Sequence, residues 1–256
     1  MRASSSGFRR ASRILRLSAR PLALALVLAW TVFRFEDLAR ILAPIAPGKR
    51  LFVERQSLPA LAAQHLALCA ATSLAAFAIA FPLGLLASRG SSRHLREALD
   101  GTAAFGETFP TAALIALLVP ALGYGTAPVA LALALYGILP ILRNTLAGLG
   151  STPPEVLDAA RGMGMTEGQA LLRIRLPLAL PLVLQGLRVS LISNIAAATI
   201  GAAVGAGGLG VPIVSGIRSF DTLLILKGSI PVALLALTAD AALRAIEESL
   251  AGQRGA

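Results

Sequence analysis

Three stretches of this chain carry no Asp, Glu, Lys or Arg: residues 56–88, 108–142 and 189–217, which are 33, 35 and 29 residues long. Each exceeds the roughly 20 residues that an α-helix needs to cross a bilayer. Strict alternation of apolar and polar residues, the mark of a membrane β-barrel, is missing from them, so the spans read as helical. The longest run is divided by Pro120-Ala-Leu-Gly-Tyr-Gly-Thr-Ala-Pro128, a dense cluster of turn residues. The pattern predicts an all-α membrane protein with about six spans, near residues 21–33, 66–87, 101–119, 129–147, 178–204 and 222–243. Residues 205–221 are expected to form a loop or re-entrant turn. A polar, helix-forming island at 151–177 separates the fourth span from the fifth.

Four regions follow. Residues 1–20 form a basic arm, 21–62 a first span with a short outside segment, 63–247 the main membrane domain and 248–256 a tail. The first span is short, with 13 uncharged residues between Arg20 and Arg34, the length of a signal-peptide core. No small-x-small cleavage pattern follows directly. A retained span is therefore expected, with Arg16, Arg20 and Arg34 snorkelling at its ends.

Composition agrees with the pattern. Apolar residues make up 56% and charged residues 14%, against about 25% charge in a soluble domain. The net charge of +10 lies in arginine blocks at the ends of apolar runs, without interleaved aromatics. That distribution marks cytoplasmic loops and not a nucleic-acid surface. With both termini in the cytoplasm, Arg89, Arg93, Arg96, Arg143, Arg161, Arg173 and Arg175 fall inside, and the turns at 119–128 and 205–217 carry no basic residue outside. Segment 34–55, with Arg34, Arg40, Lys49, Arg50 and Arg55, runs against the rule. Cys69 is the single cysteine, and His65 and His94 stand 29 residues apart, so no disulfide framework, metal site or cofactor is expected.

The island has readable local chemistry. Thr152 is expected to cap a helix, with Pro153 at its first position and Glu155 reaching back. Val156, Ala160 and Met163 share one face, away from Asp158 and Arg161. Gly164 suits the left-handed residue that ends a helix. Thr166 and Gln169 form a second capping box, and Pro177 is expected to close the second helix. The result is a knob with an apolar face and a charged rim, either a self-packing surface hairpin or a docking part.

Polar residues inside membrane spans are candidates for function. Asn144 and Arg188 lie near the island side of their spans, where anchoring suffices to explain them. Glu107 and Asn194 lie deeper and, with Pro110, are candidate path residues. A Glu107 carboxylate would attract a cation, or serve a hydrogen bond between helices. Pro110 and Pro140 are expected to kink their helices. Gly205-Ala-Gly-Gly-Leu-Gly210 matches G-x-G-x-x-G, but no strand precedes it, and a turn is the better reading. A G-x-x-x-x-G-K-[ST] motif is absent from the chain. Trp30, Tyr124 and Tyr136 are too few and too scattered to build an aromatic cage.

Asp158-Ala159-Ala160, three residues, Gly164, nine residues, then Ile174-Arg175-Leu176-Pro177 resembles the cytoplasmic EAA loop of ABC-importer permeases, with Asp in place of Glu. Glu107-Thr-Phe-Pro110, Leu139-Pro-Ile-Leu-Arg-Asn-Thr145, Arg161-Gly-Met-Gly-Met165 and the 205–210 glycines resemble osmoprotectant permeases in particular. The resemblance covers about residues 60–245. It implies a type I permease-like fold in a bacterial inner membrane and import of glycine betaine or related quaternary amines. It implies coupling of Asp158, Ala159, Ala160, Arg161, Gly164, Ile174, Leu176 and Pro177 to separate ABC ATPase subunits. It also implies a second permease subunit, identical or related, and a separate substrate-binding protein. Another solute such as an amino acid, or a stand-alone secondary transporter, are the alternatives.

Overall fold

Residues 19–42, 44, 56–88 and 93–252 are described by a computed structural model. Residues 1–18 of the expected arm, residues 43 and 45–55 of the outside segment, residues 89–92 and the last four residues lie outside the described residues. Among the described residues every regular element is helical. The order is α1 (Ala19–Phe33), α2 (Phe35–Leu42), α3 (Leu58–Ala87), α4 (Arg93–Glu107), α5 (Thr111–Leu122), α6 (Thr126–Gly150), α7 (Pro154–Gly162), α8 (Glu167–Ala170), α9 (Leu176–Ala198), α10 (Gly210–Ser219) and α11 (Thr222–Gly252).

Four helices are long and apolar enough to span a membrane: α3, α6, α8 with α9, and α11. The 30 residues of α3 reach roughly 45 Å at 1.5 Å per residue, well beyond a hydrocarbon core of about 30 Å. The expected third span is not one continuous helix. Its halves, α4 and α5, meet at 91°. Pro110 stands at the corner in an extended conformation (φ −64°, ψ 126°) and caps α5. It offers no N–H to continue α4 and biases Phe109 away from helix. Pro140, by contrast, stays buried inside an uninterrupted α6. Where a first span is expected, the structure has a 15-residue apolar helix, α1, shorter than the four helices long enough to cross a membrane.

Helix α6 is the hub and packs most extensively on α9 and α3. Glycine makes the α6–α9 approach possible. A Cβ on Gly186 would stand 2.9 Å from the Pro140 carbonyl oxygen, and one on Gly148 3.0 Å from that of Ala179. Such small-residue contacts let helices associate inside a membrane, where hydrophobic burial gives little drive.

The bundle has two distinct ends. At one, the C-termini of α3 and α6 meet the start of α9 beneath the island. At the other, Gly125 donates to the Val204 carbonyl (2.7 Å) and the glycines at 205–208 pack on α3. Cores line up between them. Leu58, Ile115, Leu133, Ile195 and Leu209 fill the far half, Ala76, Ile141 and Leu146 the middle, and Leu149, Leu171 and Val183 the island end.

Segment 205–221 is more ordered than the expected loop. Gly205, Gly207 and Gly208 take positive φ, and α10 then rises to pair with α11. Asp221 starts α11 by accepting the Leu224 N–H (3.0 Å). That helix runs on to Gly252, past the expected end of the sixth span.

Candidate functional site

The island is built by short-range rules. Helix α7 ends in a Schellman closure: the Met165 N–H reaches the Ala160 carbonyl (3.0 Å) and the Gly164 N–H that of Arg161 (2.9 Å). Gly164 has φ +75°, as its place after the helix demands. The expected capping box at Thr166 is present. Thr166 Oγ1 accepts the Gln169 N–H (3.3 Å) and Gln169 Oε1 the Thr166 N–H (2.9 Å).

Two expectations fail here. Thr152 does not cap α7: Pro153 holds the cap position, and Thr152 Oγ1 is buried without a protein partner. Pro153 fixes an extended backbone at the cap (φ −58°, ψ 140°), which moves the helix start one residue beyond the reach of Thr152. Pro177 does not close the second helix either. A π turn, Leu171–Arg175, carries α8 straight into α9, and the Leu176 N–H bonds back to the Leu171 carbonyl. Pro177 then falls in the first turn of α9, the part of a helix that best tolerates a missing N–H.

The site residues divide by exposure. Ala160 is fully buried and is the pivot of the knob, whereas Asp158, Ala159, Arg161 and Gly164 are exposed. Arg161 bridges the two helices, 3.2 Å from Asp158 Oδ1 and 3.5 Å from Glu167 Oε1. Ion pairs this exposed add at most about 1 kcal/mol, so they shape the rim more than they hold it. Met163 is 68% exposed, with Val156 and Leu172 also open. A Cβ placed on Gly162, Gly164 or Gly168 would meet no atom within 4 Å. Ile174, Leu176 and Pro177 are half-buried at the base.

Arg175 joins this base to the bundle. Its Nη1 donates to the Ser88 carbonyl (3.0 Å), and its Nε and Nη2 both donate to that of Leu149 (3.2 and 3.0 Å). Arg96 of α4 reaches the neighbouring Leu146 carbonyl (3.2 Å). The sequence reading quoted Arg175 within a motif without giving it a role. No local signal could have found that role, because its acceptors are backbone carbonyls at helix ends 26 and 87 residues away.

The candidate path residues do not come together. Glu107 ends α4 and lies 2.7 Å from Arg143 Nη1, with Asp100 3.3 Å from Arg143 Nε. Asn194 is wholly buried between α3 and α9 and donates to Ser73 Oγ (3.0 Å) and Thr72 Oγ1 (3.4 Å). His65 lies in the same seam, its Nε2 3.0 Å from the Ile195 carbonyl. That carbonyl is open because the Thr199 N–H turns to Ala196 at the end of α9. Arg188, only 14% exposed, pairs with Glu247 (3.4 Å) and Asp240 (3.8 Å) of α11. Instead, a cleft of about 770 Å³ opens at the far end, between α3, α6 and the glycine turn. Gln64, Ala71, Thr72, Ala130 and Gly207 are among its lining residues, and none of them is charged.

Residues 80–252 match the family described as binding-protein-dependent transport system inner membrane component. The carnitine transport permease protein OpuCB of Listeria monocytogenes is 37% identical over 187 residues, covering 73% of this chain and 85% of that protein. The osmoprotectant import permease protein OsmW of Salmonella typhimurium is 38% identical over 188 residues, covering 72% and 86%. The glycine betaine/carnitine/choline transport system permease protein OpuCD of Bacillus subtilis is 40% identical over 173 residues, covering 67% and 75%. Among solved structures, a chain of the inward-facing MetNI methionine ABC transporter superposes with a TM-score of 0.65 at 22% identity, over 73% of this chain and 93% of that one. A multi-pass helical bundle, a Schellman-closed island between its spans and extended similarity to permeases of known transporters lead to one assignment: the chain belongs to the binding-protein-dependent transport system inner membrane component family.

Proposed function

We propose that this chain is the permease subunit of an ATP-driven importer for osmoprotectants of the quaternary-amine class, with both termini and the island in the cytoplasm of a bacterial cell. The observation that carries the reading is the island's exposed, glycine-rich surface. Glycine inside a helix costs about 0.5–1 kcal/mol relative to alanine, yet Gly162 and Gly168 face open space where their own chain needs no glycine. A partner whose backbone approaches closely explains them, with Met163, Val156 and Leu172 as its apolar contacts. An ABC ATPase subunit is that partner, and ATP is hydrolysed there and not on this chain.

Substrate choice rests with a separate binding protein. The uncharged far-end cleft offers small side chains and amides but no aromatic cage. A zwitterion or methylated cation passes such walls without being held. A second permease subunit, identical or related, completes the path. The substrates for which the relatives are named, carnitine, choline and glycine betaine, support this class over amino acids.

Reconstitution tests the proposal. Proteoliposomes holding this chain, its ATPase and its binding protein are expected to accumulate radiolabelled glycine betaine, carnitine or choline only with ATP inside. Uptake without the ATPase, driven by an ion gradient, would show a secondary transporter.

A further inference from the structure

We infer that Arg175 is the positioning residue through which displacement of the island reaches α3 and α6. The inference rests on reading the island as the ATPase-docking part. Arg175 belongs to the π turn, which is continuous with α8 on one side and α9 on the other. Its guanidinium faces away from that continuous rod and engages two other helices at once. The Ser88 carbonyl closes α3, and the Leu149 carbonyl lies in the last turn of α6. Carbonyls of a last helical turn have no partner within the helix, and they carry the negative end of its dipole. One planar cation satisfies both ends, with a two-pronged contact to Leu149 and a third bond to Ser88.

Lysine cannot copy this arrangement. Its ammonium is a compact point charge and lacks the fixed fork that spans two acceptors. Arg96 holds α6 from the α4 side by a different carbonyl, that of Leu146. Arg175 is therefore the polar link between the base of the island and α3, beside the apolar packing of Leu171 and Val183 with Phe77, Phe81 and Leu85 of α3. Helices α3 and α6 also form the walls of the far-end cleft. A push on the island thus reaches, through this guanidinium, the island ends of the two helices whose other ends border that cleft.

The test uses the full complex of permease, ATPase and binding protein in proteoliposomes, with glycine betaine as the probe. Arg175→Gln and Arg175→Lys are compared for ATPase co-purification, ATP hydrolysis and uptake per ATP hydrolysed. Both variants are expected to keep the ATPase bound and hydrolysing. Uptake per ATP should fall roughly tenfold or more in Arg175→Gln, the scale of a lost charge-assisted hydrogen bond, and less in Arg175→Lys. A purely structural role lowers the yield of complex but leaves the uptake per ATP of what assembles unchanged. Unchanged uptake per ATP in Arg175→Gln overturns the inference, and so does loss of ATPase docking in that variant. Should Arg175→Gln fail to insert, the same ratio in Arg175→Lys decides, an unchanged value again overturning it. A wild-type complex that neither binds the ATPase nor imports sinks the proposed function, and the role of Arg175 with it.

Discussion

Gly164 is a residue whose backbone angle alone sets its identity. It sits at φ +75° with open space where a Cβ would go, so any substitution acts through conformation and not through a clash. A left-handed L-residue costs roughly 1–2 kcal/mol, and more when β-branched. Gly164→Val is expected to weaken ATPase co-purification about tenfold while the permease still inserts; Gly164→Asn, which tolerates this region, should keep most of it. Equal loss in both variants would mean that the partner needs the missing Cβ itself. Glu107 poses a different question, because Arg143 partners it at 2.7 Å. If Glu107 acts by holding α4 on α6, then Glu107→Gln, Arg143→Gln and the double variant should slow uptake to the same extent. A Glu107→Gln defect that persists in an Arg143→Gln background, read as a double-mutant cycle, would return Glu107 to the path.

Among the elements, the π turn at Leu171–Arg175 sets how the island faces relative to α9. Pro177 fits in the first turn after it and supplies no N–H to a tighter helix. Pro177→Ala restores that donor and lets the turn relax to α-geometry. Relaxation would rotate α7 and α8 about α9 by roughly one residue, about 100°. The expected result is unchanged helix content by circular dichroism together with reduced ATPase co-purification and uptake. Normal coupling in Pro177→Ala would show that the π turn does not depend on this proline. At the α4–α5 corner proline acts the other way. A missing N–H is tolerated in a first helical turn or a widened one, and also inside a packed span, as at Pro140 of α6; at Pro110 the helix ends instead.

For the whole molecule, orientation is the property on which the proposed function stands. Tyr124 and Phe220 are 81% and 89% exposed in turns at the far end, and Met163 is exposed on the island. In a Cys69→Ser background, Tyr124→Cys and Phe220→Cys are expected to react with an impermeant thiol reagent in intact cells, and Met163→Cys only after permeabilisation. Gly208 is a poor probe for the far end because it is buried against His65. Labelling of Met163→Cys from outside would place the island away from any cytoplasmic ATPase.

The uncharged runs, the turn at 120–128 and the Gly164 and Thr166–Gln169 signals determined the helical class, most of the spans and the island's local shape. These are short-range effects: hydrophobic length, backbone stereochemistry and hydrogen bonds between residues three to five apart. Tertiary structure decided the rest. Whether Pro110 breaks a helix or Pro140 rides inside one depends on neighbours that no local pattern names. Glu107 and Asn194, both polar and both within apolar surroundings by sequence, find partners in Arg143 and in Thr72 with Ser73, from helices far away in the chain. Arg175 shows the division most clearly, because its three hydrogen bonds go to backbone carbonyls of residues 26 and 87 positions away. Every residue, proline included, offers a backbone carbonyl, so the sequence of the acceptor carries no trace of such a bond, and only the fold brings the two helix ends to one guanidinium.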